Sequence, residues 1–209
     1  MKDTILIYSG GLDSTAALYT YKDRIALAVT FLYGSKHNKY ERLCAEENCK
    51  LLGIEHLVID MSFLGEHLKS SLTTDEEIPE GRYDEEKMKS TVVPFRNGIM
   101  LSIATGIAES RNLQNVMIAS HSGDHAIYPD CSEDFNYYMD FAMIYGTYNS
   151  IELVRPFENL DKKEVAQIGI ENGMDPDKTY SCYKGVLPQC GVCSTCRERD
   201  WALGLREEP

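Results

Sequence analysis

The residues best suited to chemistry lie where an early apolar run meets the string Ser9-Gly10-Gly11-Leu12-Asp13-Ser14-Thr15. Both glycines can adopt positive φ angles and let a ligand approach the backbone closely. The hydroxyl groups add hydrogen-bond donors, and the backbone N–H groups of a turn between a strand and a helix converge on one point. The string lacks the Gly-Lys-Ser/Thr ending of a Walker A loop. We therefore predict a phosphate-binding loop of another kind, in preference to an ordinary turn in which Asp13 and Ser14 cap a helix.

A second group suited to chemistry consists of four cysteines, namely Cys182, Cys190, Cys193 and Cys196. The last three are each three residues apart, and glycine and proline between the cysteines supply the turns that a metal knuckle needs. Four thiolates match a tetrahedral zinc site without an open coordination position, so we expect Zn²⁺ in a structural role. An iron–sulfur cluster uses the same ligands and is the alternative.

The rest of the sequence must form elements that position these residues. Short apolar runs rich in β-branched residues predict five strands, with helical patterns between them, at 5–8, 25–33, 56–60, 116–120 and 151–157. Such alternation indicates an α/β fold with a mostly parallel sheet that is covered by helices on both faces. We predict one α/β domain over 1–178 and a small cysteine-rich segment over 179–209.

Further polar residues follow the predicted strands. Arg96 and Asn97 would lie in the first turn of a helix, where an arginine can clamp a carboxylate or a phosphate. Lys162 begins another helix, within the capping-box pair Asp161 and Glu164. In α/β sheets the loops beyond the strand ends meet each other. The loop after the fourth strand carries the candidates His121, Asp124, His125, Tyr128, Asp130 and Cys131.

The composition limits the classes of function. Of the 209 residues, 43% are hydrophobic and 26% are charged, as expected of a soluble globular protein with one sizeable core. The formal net charge of −12 argues against a broad nucleic-acid surface, because phosphate contacts need a basic face. We find no apolar run long enough for a membrane span and no signal peptide before the first strand. Seven cysteines without such a signal indicate a reducing compartment, so we expect a cytoplasmic protein.

Two segments suggest contacts beyond the core. Residues 65–90 are polar and acidic and interrupt the alternation of strands and helices, so they form a lid, an oligomer contact or a solvated insertion. The predicted helix over 132–148 is rich in aromatic residues, which suits a dimer contact. These aromatic residues are Phe135, Tyr137, Tyr138, Phe141, Tyr145 and Tyr148.

The motifs together resemble a known family. The string from Ser9 to Ser14 resembles the PP-loop of ATP pyrophosphatases, which attach AMP to a substrate oxygen and release pyrophosphate. Over nearly the whole chain, the motifs resemble those of the 7-cyano-7-deazaguanine synthase (QueC) family. The matching pieces are Val93-Pro94-Phe95-Arg96-Asn97, the run from Gly123 to Cys131, Asp161-Lys162 with Glu164, and Thr179-Tyr180-Ser181-Cys182-Tyr183 leading into the CxxCxxC string.

The resemblance implies a Rossmann-like fold of the adenine nucleotide α-hydrolase class with a C-terminal zinc knuckle, commonly as a homodimer. It implies conversion of 7-carboxy-7-deazaguanine, ammonia and ATP to a nitrile through adenylated intermediates, with Mg²⁺ and Zn²⁺ as metals. Tyr8 and the glycine loop (residues 9–15) would bind ATP, and the catalytic residues would be Asp13, Lys162 and Arg96. Asp13 would help to place Mg²⁺, and Lys162 would neutralise phosphate charge. The substrate-binding residues would be Arg96, Asn97, His121, Asp124, His125, Tyr128 and Asp130, with Arg96 and Asp124 handling the acid and its base edge.

Two positions depart from the family's pattern. Ser132 stands where members often carry arginine after Tyr-Pro-Asp-Cys, and Gln189 stands where they often carry histidine. Because Ser132 adjoins the expected substrate loop, the identity of the attacking amine stays open. A related ligase would transfer the activated acid to another amine, such as a protein N-terminus. A non-catalytic nucleotide-binding module is a third hypothesis, against which the intact PP-loop with Asp13 argues.

Overall fold

The computed structural model describes residues 2–82, 85–125 and 127–208. Tyr83 and Asp84 of the acidic segment and Ala126 of the expected substrate loop therefore lie outside the described residues. The strands are β1 (Thr4–Ile7), β2 (Ile25–Leu32), β3 (Glu55–Asp60), β4 (Asn115–Met117) and β5 (Glu152–Val154). The helices are α1 (Leu12–Thr20), α2 (Asn38–Leu52), α3 (Leu64–His67), α4 (Glu85–Met88), α5 (Arg96–Ser110), α6 (Glu133–Gly146), α7 (Lys162–Glu171) and α8 (Ser194–Ala202).

The five strands form one parallel sheet with the order β3-β2-β1-β4-β5. The chain builds outward from the central β1 through β2 and β3, and then crosses to the other side for β4 and β5. The strand order therefore reverses between β1 and β4, where the carboxyl ends of open α/β sheets form a ligand crevice. The predicted Rossmann-like fold is confirmed, and every pairing in this sheet is parallel.

Side chains of the central strand alternate between two apolar cores. Ile5 packs on one face of the sheet with Leu101 of α5. Leu6 packs on the other face with Leu18 of α1 and Val165 of α7. Because helices cover both faces of β1, its carboxyl end and the loop beyond it are the parts that meet a ligand.

Two of the strands are shorter than predicted. The predicted strand 116–120 pairs only as far as Met117, and the predicted strand 151–157 pairs only as far as Val154. Ala119 and Ser120 instead line the cleft described below. The apolar sequence continues past the paired strand because these residues form a wall of the cleft.

The described part of the acidic segment 65–90 packs against the cysteine-rich segment. Leu72 and Ile78 are buried in the same cluster as Cys193. Glu80 forms an antiparallel bridge with Cys193, and no described residue of the acidic segment lines the cleft. The described part of the segment therefore packs more closely than a solvated insertion would, and none of its described residues covers the cleft as a lid would.

The residues after 179 pack on the α/β sheet, and the predicted boundary between 1–178 and 179–209 stays a prediction. Ala202 of α8 is buried in the core cluster that contains α1 and α7. The buried Arg199 donates hydrogen bonds to the Thr179 hydroxyl and to the Pro176 carbonyl. In the part of the chain that the structure describes, no helix has both the length and the apolar character needed to cross a membrane.

Candidate active site

A cleft lies beyond the carboxyl ends of β1, β2 and β4, where the strand order reverses. Its apolar floor consists of Ile7, Phe31, Met100 and Ile118. The glycine loop and two clusters of polar and charged side chains surround this floor, and each of them is positioned by a different set of elements.

The glycine loop owes its shape to a close approach between β1 and α2. Gly10 has a φ of +93°, and a Cβ atom there would lie 2.2 Å from the backbone oxygen of Glu41. The Ser9 hydroxyl accepts a hydrogen bond from the Gly11 N–H at 3.0 Å and lies 3.0 Å from the Ser14 hydroxyl. In the part of the chain that the structure describes, no side chain caps the first turn of α1. Its backbone N–H groups are therefore available to an anion.

Most of the predicted ATP-binding residues face the cleft, namely Tyr8, Ser9, Gly11, Leu12, Asp13 and Ser14. Gly10 and Thr15 stand behind them. The Thr15 hydroxyl donates to the Gly11 carbonyl at 2.7 Å and lies 3.3 Å from the Tyr8 hydroxyl. These two residues fix the shape of the loop rather than presenting atoms to the cleft.

The first charged cluster, the lysine cluster, centres on Lys162 at the start of α7. Its Nζ lies 3.1 Å from Asp13 Oδ2 and 2.7 Å from Glu198 Oε2. Burial works to lower the pKa of Lys162, but the carboxylates of Asp13 and Glu198 outweigh it and hold that pKa above its ordinary value. Burial raises the pKa of Glu198, and Lys162 opposes this effect. The cluster therefore holds a cation beside the glycine loop, and α8 supplies one of its two carboxylate partners.

The lysine cluster also includes two histidine–carboxylate approaches. His121 Nε2 lies 3.9 Å from Asp13 Oδ2 and 3.7 Å from Asp124 Oδ2. Because His121 Nδ1 accepts the Gly123 N–H at 3.1 Å, a neutral ring carries its proton on Nε2. That Nε2 atom and Asp13 Oδ1 are buried without a hydrogen-bond partner among the described residues. A buried polar atom without a hydrogen-bond partner is energetically unfavourable, so both atoms are suited to contact a ligand.

The second cluster, the arginine cluster, consists of Tyr33, His37, Glu41, Arg96 and Tyr183. Arg96 Nη1 donates to the Tyr33 hydroxyl at 3.0 Å, and the guanidinium lies 5.3 Å from the centre of the Tyr33 ring. His37 Nε2 lies 3.1 Å from the Tyr33 hydroxyl and 3.5 Å from Glu41 Oε2. The His37 ring stacks on Tyr183 with a centroid distance of 4.9 Å.

Burial shifts the pKa values of the ionisable groups in the arginine cluster. It lowers the pKa of His37 from 6.5 to about 3, with a further contribution from Arg96. It raises the pKa of Glu41 from 4.5 to about 8, and Arg96 opposes this effect. Burial also works against the charge of Arg96, but Tyr33 and other neighbours outweigh it and raise the pKa of Arg96. Arg96 is therefore a cation in this cluster, and the pKa of Glu41 lies well above that of an ordinary carboxyl group.

The expected substrate loop is joined to the start of α5. Asp130 Oδ2 accepts the backbone N–H of Asn97 at 2.7 Å, and Asn97 Nδ2 lies 3.1 Å from Cys131 Sγ. These contacts fix Asn97 and the neighbouring Arg96 at the cleft. Of the predicted substrate-binding residues, Arg96, Asn97, Asp124 and Tyr128 line the cleft, whereas His121, His125 and Asp130 do not.

The two positions that depart from the family's pattern have structural roles. Gln189 Oε1 accepts the Ser181 N–H at 2.8 Å, and its amide nitrogen lies 3.3 Å from the Thr179 carbonyl. The Ser132 hydroxyl caps α6 by accepting the Phe135 N–H at 3.2 Å. Both residues stabilise backbone turns and do not line the cleft.

Sequence analysis missed several residues that line the cleft or contact its lining. Glu198 follows the last cysteine by two residues, and no local pattern indicates that it reaches Lys162. His37 and Glu41 are four residues apart on α2, a spacing that places two side chains on one helix face and could have identified them. The cleft residues that were not predicted as site residues include Tyr33 and Thr195, together with Tyr180, Ser181 and Tyr183 of the motif that leads into the CxxCxxC string.

The four predicted metal ligands come together in one place. The sulfur atoms of Cys182, Cys190, Cys193 and Cys196 all lie within 4.8 Å of one another, and all four are free thiols. The Cys193 N–H donates to Cys190 Sγ at 3.3 Å, and the Cys190 N–H donates to Cys182 Sγ at 3.5 Å. This arrangement suits one metal ion with four sulfur ligands.

Comparisons with known proteins point to one family. Residues 3–206 match the family model described as queuosine biosynthesis protein QueC. The chain is 50% identical over 203 residues to a 7-cyano-7-deazaguanine synthase of Porphyromonas gingivalis, covering 97% of this chain and 92% of that protein. It is 47% identical over 206 residues to a 7-cyano-7-deazaguanine synthase of Desulfotalea psychrophila, with coverage of 97% and 94%.

A solved structure supports the fold alone. The NMN synthetase of Francisella tularensis superimposes with a TM-score of 0.53 at 16% identity, covering 97% of this chain and 77% of that chain. The family assignment therefore depends on the sequence matches, which extend over nearly the whole length. On these matches, the chain belongs to the QueC family of queuosine biosynthesis proteins.

Proposed function

We propose that this protein is a 7-cyano-7-deazaguanine synthase, which uses ATP to convert 7-carboxy-7-deazaguanine and ammonia into the nitrile. The observation that carries the proposal is the cleft of a QueC-family chain, which is lined by the uncapped N-terminus of α1, by Lys162 and by Arg96. Relatives at 50% and 47% identity bear the name of this synthase.

The reaction needs an activation step, because a carboxylate would have to lose oxide as its leaving group. A carboxylate oxygen of the substrate attacks the α-phosphorus of ATP, and the bond to pyrophosphate breaks. Ammonia then forms a C–N bond to the adenylated carbon, and AMP leaves with the electron pair of the C–O bond. A second adenylation, on the amide oxygen, lets that oxygen leave as AMP, and the nitrile remains. A site that stabilises the departing pyrophosphate and AMP therefore assists each stage.

The glycine loop and the lysine cluster suit the triphosphate. The N–H groups of the first turn of α1 would bind phosphate oxygens, and Lys162 would neutralise their charge. The buried Asp13 Oδ1 is a carboxylate oxygen without a hydrogen-bond partner, which fits a hard divalent cation such as Mg²⁺. Mg²⁺, when bound, would offset negative charge on the phosphates. Asp13 would then share its carboxylate between the cation and Lys162.

The other predicted residues suit the acid and its ring. The Arg96 guanidinium can donate two parallel hydrogen bonds to a carboxylate. Its hydrogen bond to the Tyr33 hydroxyl fixes its orientation. Asp124, Asn97 and Tyr128 line the same cleft and would contact the base edge. His121, His125 and Asp130 would act from behind this wall, and Asp130 holds Asn97 in place.

We propose Zn²⁺ as the ion of the four-cysteine cluster, in a structural role. Four sulfur ligands leave no coordination position for a substrate. An iron–sulfur cluster would place inorganic sulfide between the thiolates, and the mutual spacing within 4.8 Å favours a single ion instead. The ion would order the segment that brings α8 and Glu198 to Lys162.

A homodimer and a cytoplasmic location complete the proposal. Aromatic side chains of α6 and the turn after it are exposed and suit a contact with a second copy. They are Tyr137, Tyr138, Phe141, Tyr145 and Tyr148. The seven free cysteines suit a reducing compartment. Analytical ultracentrifugation of the purified protein would test the dimer directly.

The proposed reaction is tested by incubating the purified protein with ATP, Mg²⁺, 7-carboxy-7-deazaguanine and ammonium, and by following the products by mass spectrometry. We expect the nitrile together with AMP and pyrophosphate. Adenylated acid or AMP without nitrile would contradict the synthase and would indicate another amine as the acceptor. Bound ATP that is never cleaved in the presence of the acid would indicate a non-catalytic module.

A further inference from the structure

The arginine cluster contains the carboxyl group of Glu41, to which the proposed adenylation of the acid assigns no role. Glu41 lines the cleft, and its Oε1 lies 3.6 Å from the point that a Cβ atom on Gly11 would occupy. Its Oε2 lies 3.5 Å from His37 Nε2, and its side chain is 13% exposed. The carboxyl group of Glu41 is therefore the part of the arginine cluster that lies next to the glycine loop, where ATP would bind.

His37 places a ring nitrogen beside Glu41. Arg96 can only donate, so the Tyr33 hydroxyl accepts from it, and the same hydroxyl lies 3.1 Å from His37 Nε2. His37 Nε2 therefore faces both the Tyr33 hydroxyl and Glu41 Oε2. The Nδ1 atom of the same ring is buried without a hydrogen-bond partner among the described residues.

Burial and the charge of Arg96 act in opposite directions on the pKa of Glu41. Arg96 of α5 is the cation that faces it, and burial outweighs the effect of Arg96, so the pKa of Glu41 is raised to about 8. Tyr33, beyond β2, and Cys44 on α2 are neutral neighbours, because burial raises the pKa of both, that of Cys44 to about 11. Glu41 can therefore accept and release a proton near neutral pH, as a general base requires.

The proposed reaction removes every hydrogen from the attacking nitrogen. In water near neutral pH the amine is mostly ammonium, which has no lone pair with which to attack. The nitrogen ends in a nitrile, which carries no hydrogen. A group that accepts protons close to the acid carbon is therefore needed before the C–N bond forms and again when the amide oxygen leaves.

We propose that Glu41 is this group: its carboxylate removes protons from the nitrogen both before attack and during nitrile formation. This inference rests on the proposed function. In the first step, ammonium gives one proton to Glu41, the freed lone pair forms the C–N bond while the C–O bond to AMP breaks, and the new acyl-ammonium nitrogen gives a second proton to Glu41, which leaves the amide. Adenylation of the amide oxygen breaks the bond to pyrophosphate, and loss of a third proton from the nitrogen leaves the imidate. In the last step, the electrons of the remaining N–H bond become the third C–N bond, the proton passes to Glu41, and AMP leaves with the electrons of the C–O bond. Glu41 releases each proton to solvent.

The test uses Glu41→Gln, which keeps the shape of the protonated side chain and removes the base. Adenylation is measured without ammonium, by exchange of labelled pyrophosphate into ATP in the presence of 7-carboxy-7-deazaguanine. We expect exchange to stay within about twofold of the wild type, while nitrile formation at pH 7 falls by roughly 100-fold, the usual size of a general-base contribution. Nitrile formation by the variant should recover as the pH rises, because ammonium then loses its proton to water.

The control is Glu46→Gln, which removes an exposed carboxylate of the same helix that pairs with Arg42. We expect this variant to match the wild type in both assays. Glu41→Asp keeps a carboxylate at a shorter reach and should give an intermediate nitrile rate with the wild-type pH profile.

Two results would overturn the role of Glu41. One is a Glu41→Gln enzyme that forms nitrile at the wild-type rate. The other is loss of pyrophosphate exchange and nitrile formation to the same extent in both Glu41 variants, which would place Glu41 in binding or folding. A wild-type enzyme that makes no nitrile would instead overturn the proposed function, and the role of Glu41 with it.

Discussion

The glycine loop and the four-cysteine cluster are both motifs that we expect to bind a ligand, yet they are built in opposite ways. The glycine loop leaves polar groups open, since no side chain caps α1 and Asp13 Oδ1 is buried without a partner among the described residues. The cysteine cluster directs four thiols toward one another, and backbone N–H groups of Cys190 and Cys193 donate to its sulfur atoms. The first arrangement suits a ligand that enters and leaves, and the second suits an ion that stays.

Helix α8 connects the four-cysteine cluster to the lysine cluster beside the glycine loop. Cys196 lies on α8, and Glu198 of the same helix reaches Lys162 at 2.7 Å. Thr195 also lines the cleft. We therefore expect the four-cysteine cluster to help position Lys162 in the cleft, although none of the four cysteines needs to touch the substrate.

The largest expected effect comes from filling the space that the glycine loop requires. In Gly10→Ala the added Cβ would lie 2.2 Å from the backbone oxygen of Glu41, at a φ of +93° that alanine rarely adopts. We expect the free energy of unfolding to fall by about 3 kcal/mol or more and ATP-dependent activity to be lost. Thermal unfolding and the nitrile assay measure the two effects.

Gly106→Ala provides the matched control for that substitution. Gly106 lies inside α5, and a Cβ there would meet no atom within 4 Å. This change should raise the free energy of unfolding by roughly 0.5–1 kcal/mol, because glycine is a poor helix former. Equal effects of the two alanines would show that the glycine loop has no special need for glycine.

The next largest expected effect concerns the four-cysteine cluster. Removing the ion with a chelator, or replacing Cys193 with serine, should lower the melting temperature and the activity together, because the segment that carries Glu198 would lose its order. Cys44→Ser is the control, since Cys44 lies on α2 outside the cluster. It should keep one bound metal ion per chain, measured by elemental analysis. Activity that disappears on chelation while the melting curve stays unchanged would contradict a structural role.

The sequence was sufficient for features that a few neighbouring residues determine. The glycine loop, the cysteine cluster and the capping box of Asp161 and Glu164 are local, and the structure contains each of them. The alternation of apolar strands with helical patterns was sufficient for the fold class, because a parallel sheet needs crossover helices. Strand ends were less accurate, since the apolar residues after Met117 line a cleft rather than pair.

Contacts between distant segments could not be predicted from local patterns. Glu198 meets Lys162 across 36 positions of sequence only because α8 packs on α7. The acidic segment 65–90 had three interpretations, and its bridge to Cys193 depends on tertiary pairing. Glu41 showed an i, i+4 partner in His37, but its place beside the glycine loop depends on how α2 packs on β1.

The smallest expected effect tests the connection between the two sites. Glu198→Gln keeps the side-chain volume but removes one of the two carboxylates that hold Lys162. Lys162 should then pair more closely with Asp13, which remains 3.1 Å away, and compete with a cation for that carboxylate. Loss of one charged hydrogen bond corresponds to about a tenfold rise in the KM for ATP, with little change in kcat.

Glu171→Gln is the control for this last change, because Glu171 is an exposed residue of α7 that pairs only with Gln167 in the contacts described. It should leave the KM for ATP unchanged. If Glu198→Gln lowers the melting temperature and the metal content without changing the KM for ATP, Glu198 serves the cysteine-rich segment alone. A rise in the KM for ATP at full metal content would instead show that Glu198 of α8 acts on the ATP site through its contact with Lys162.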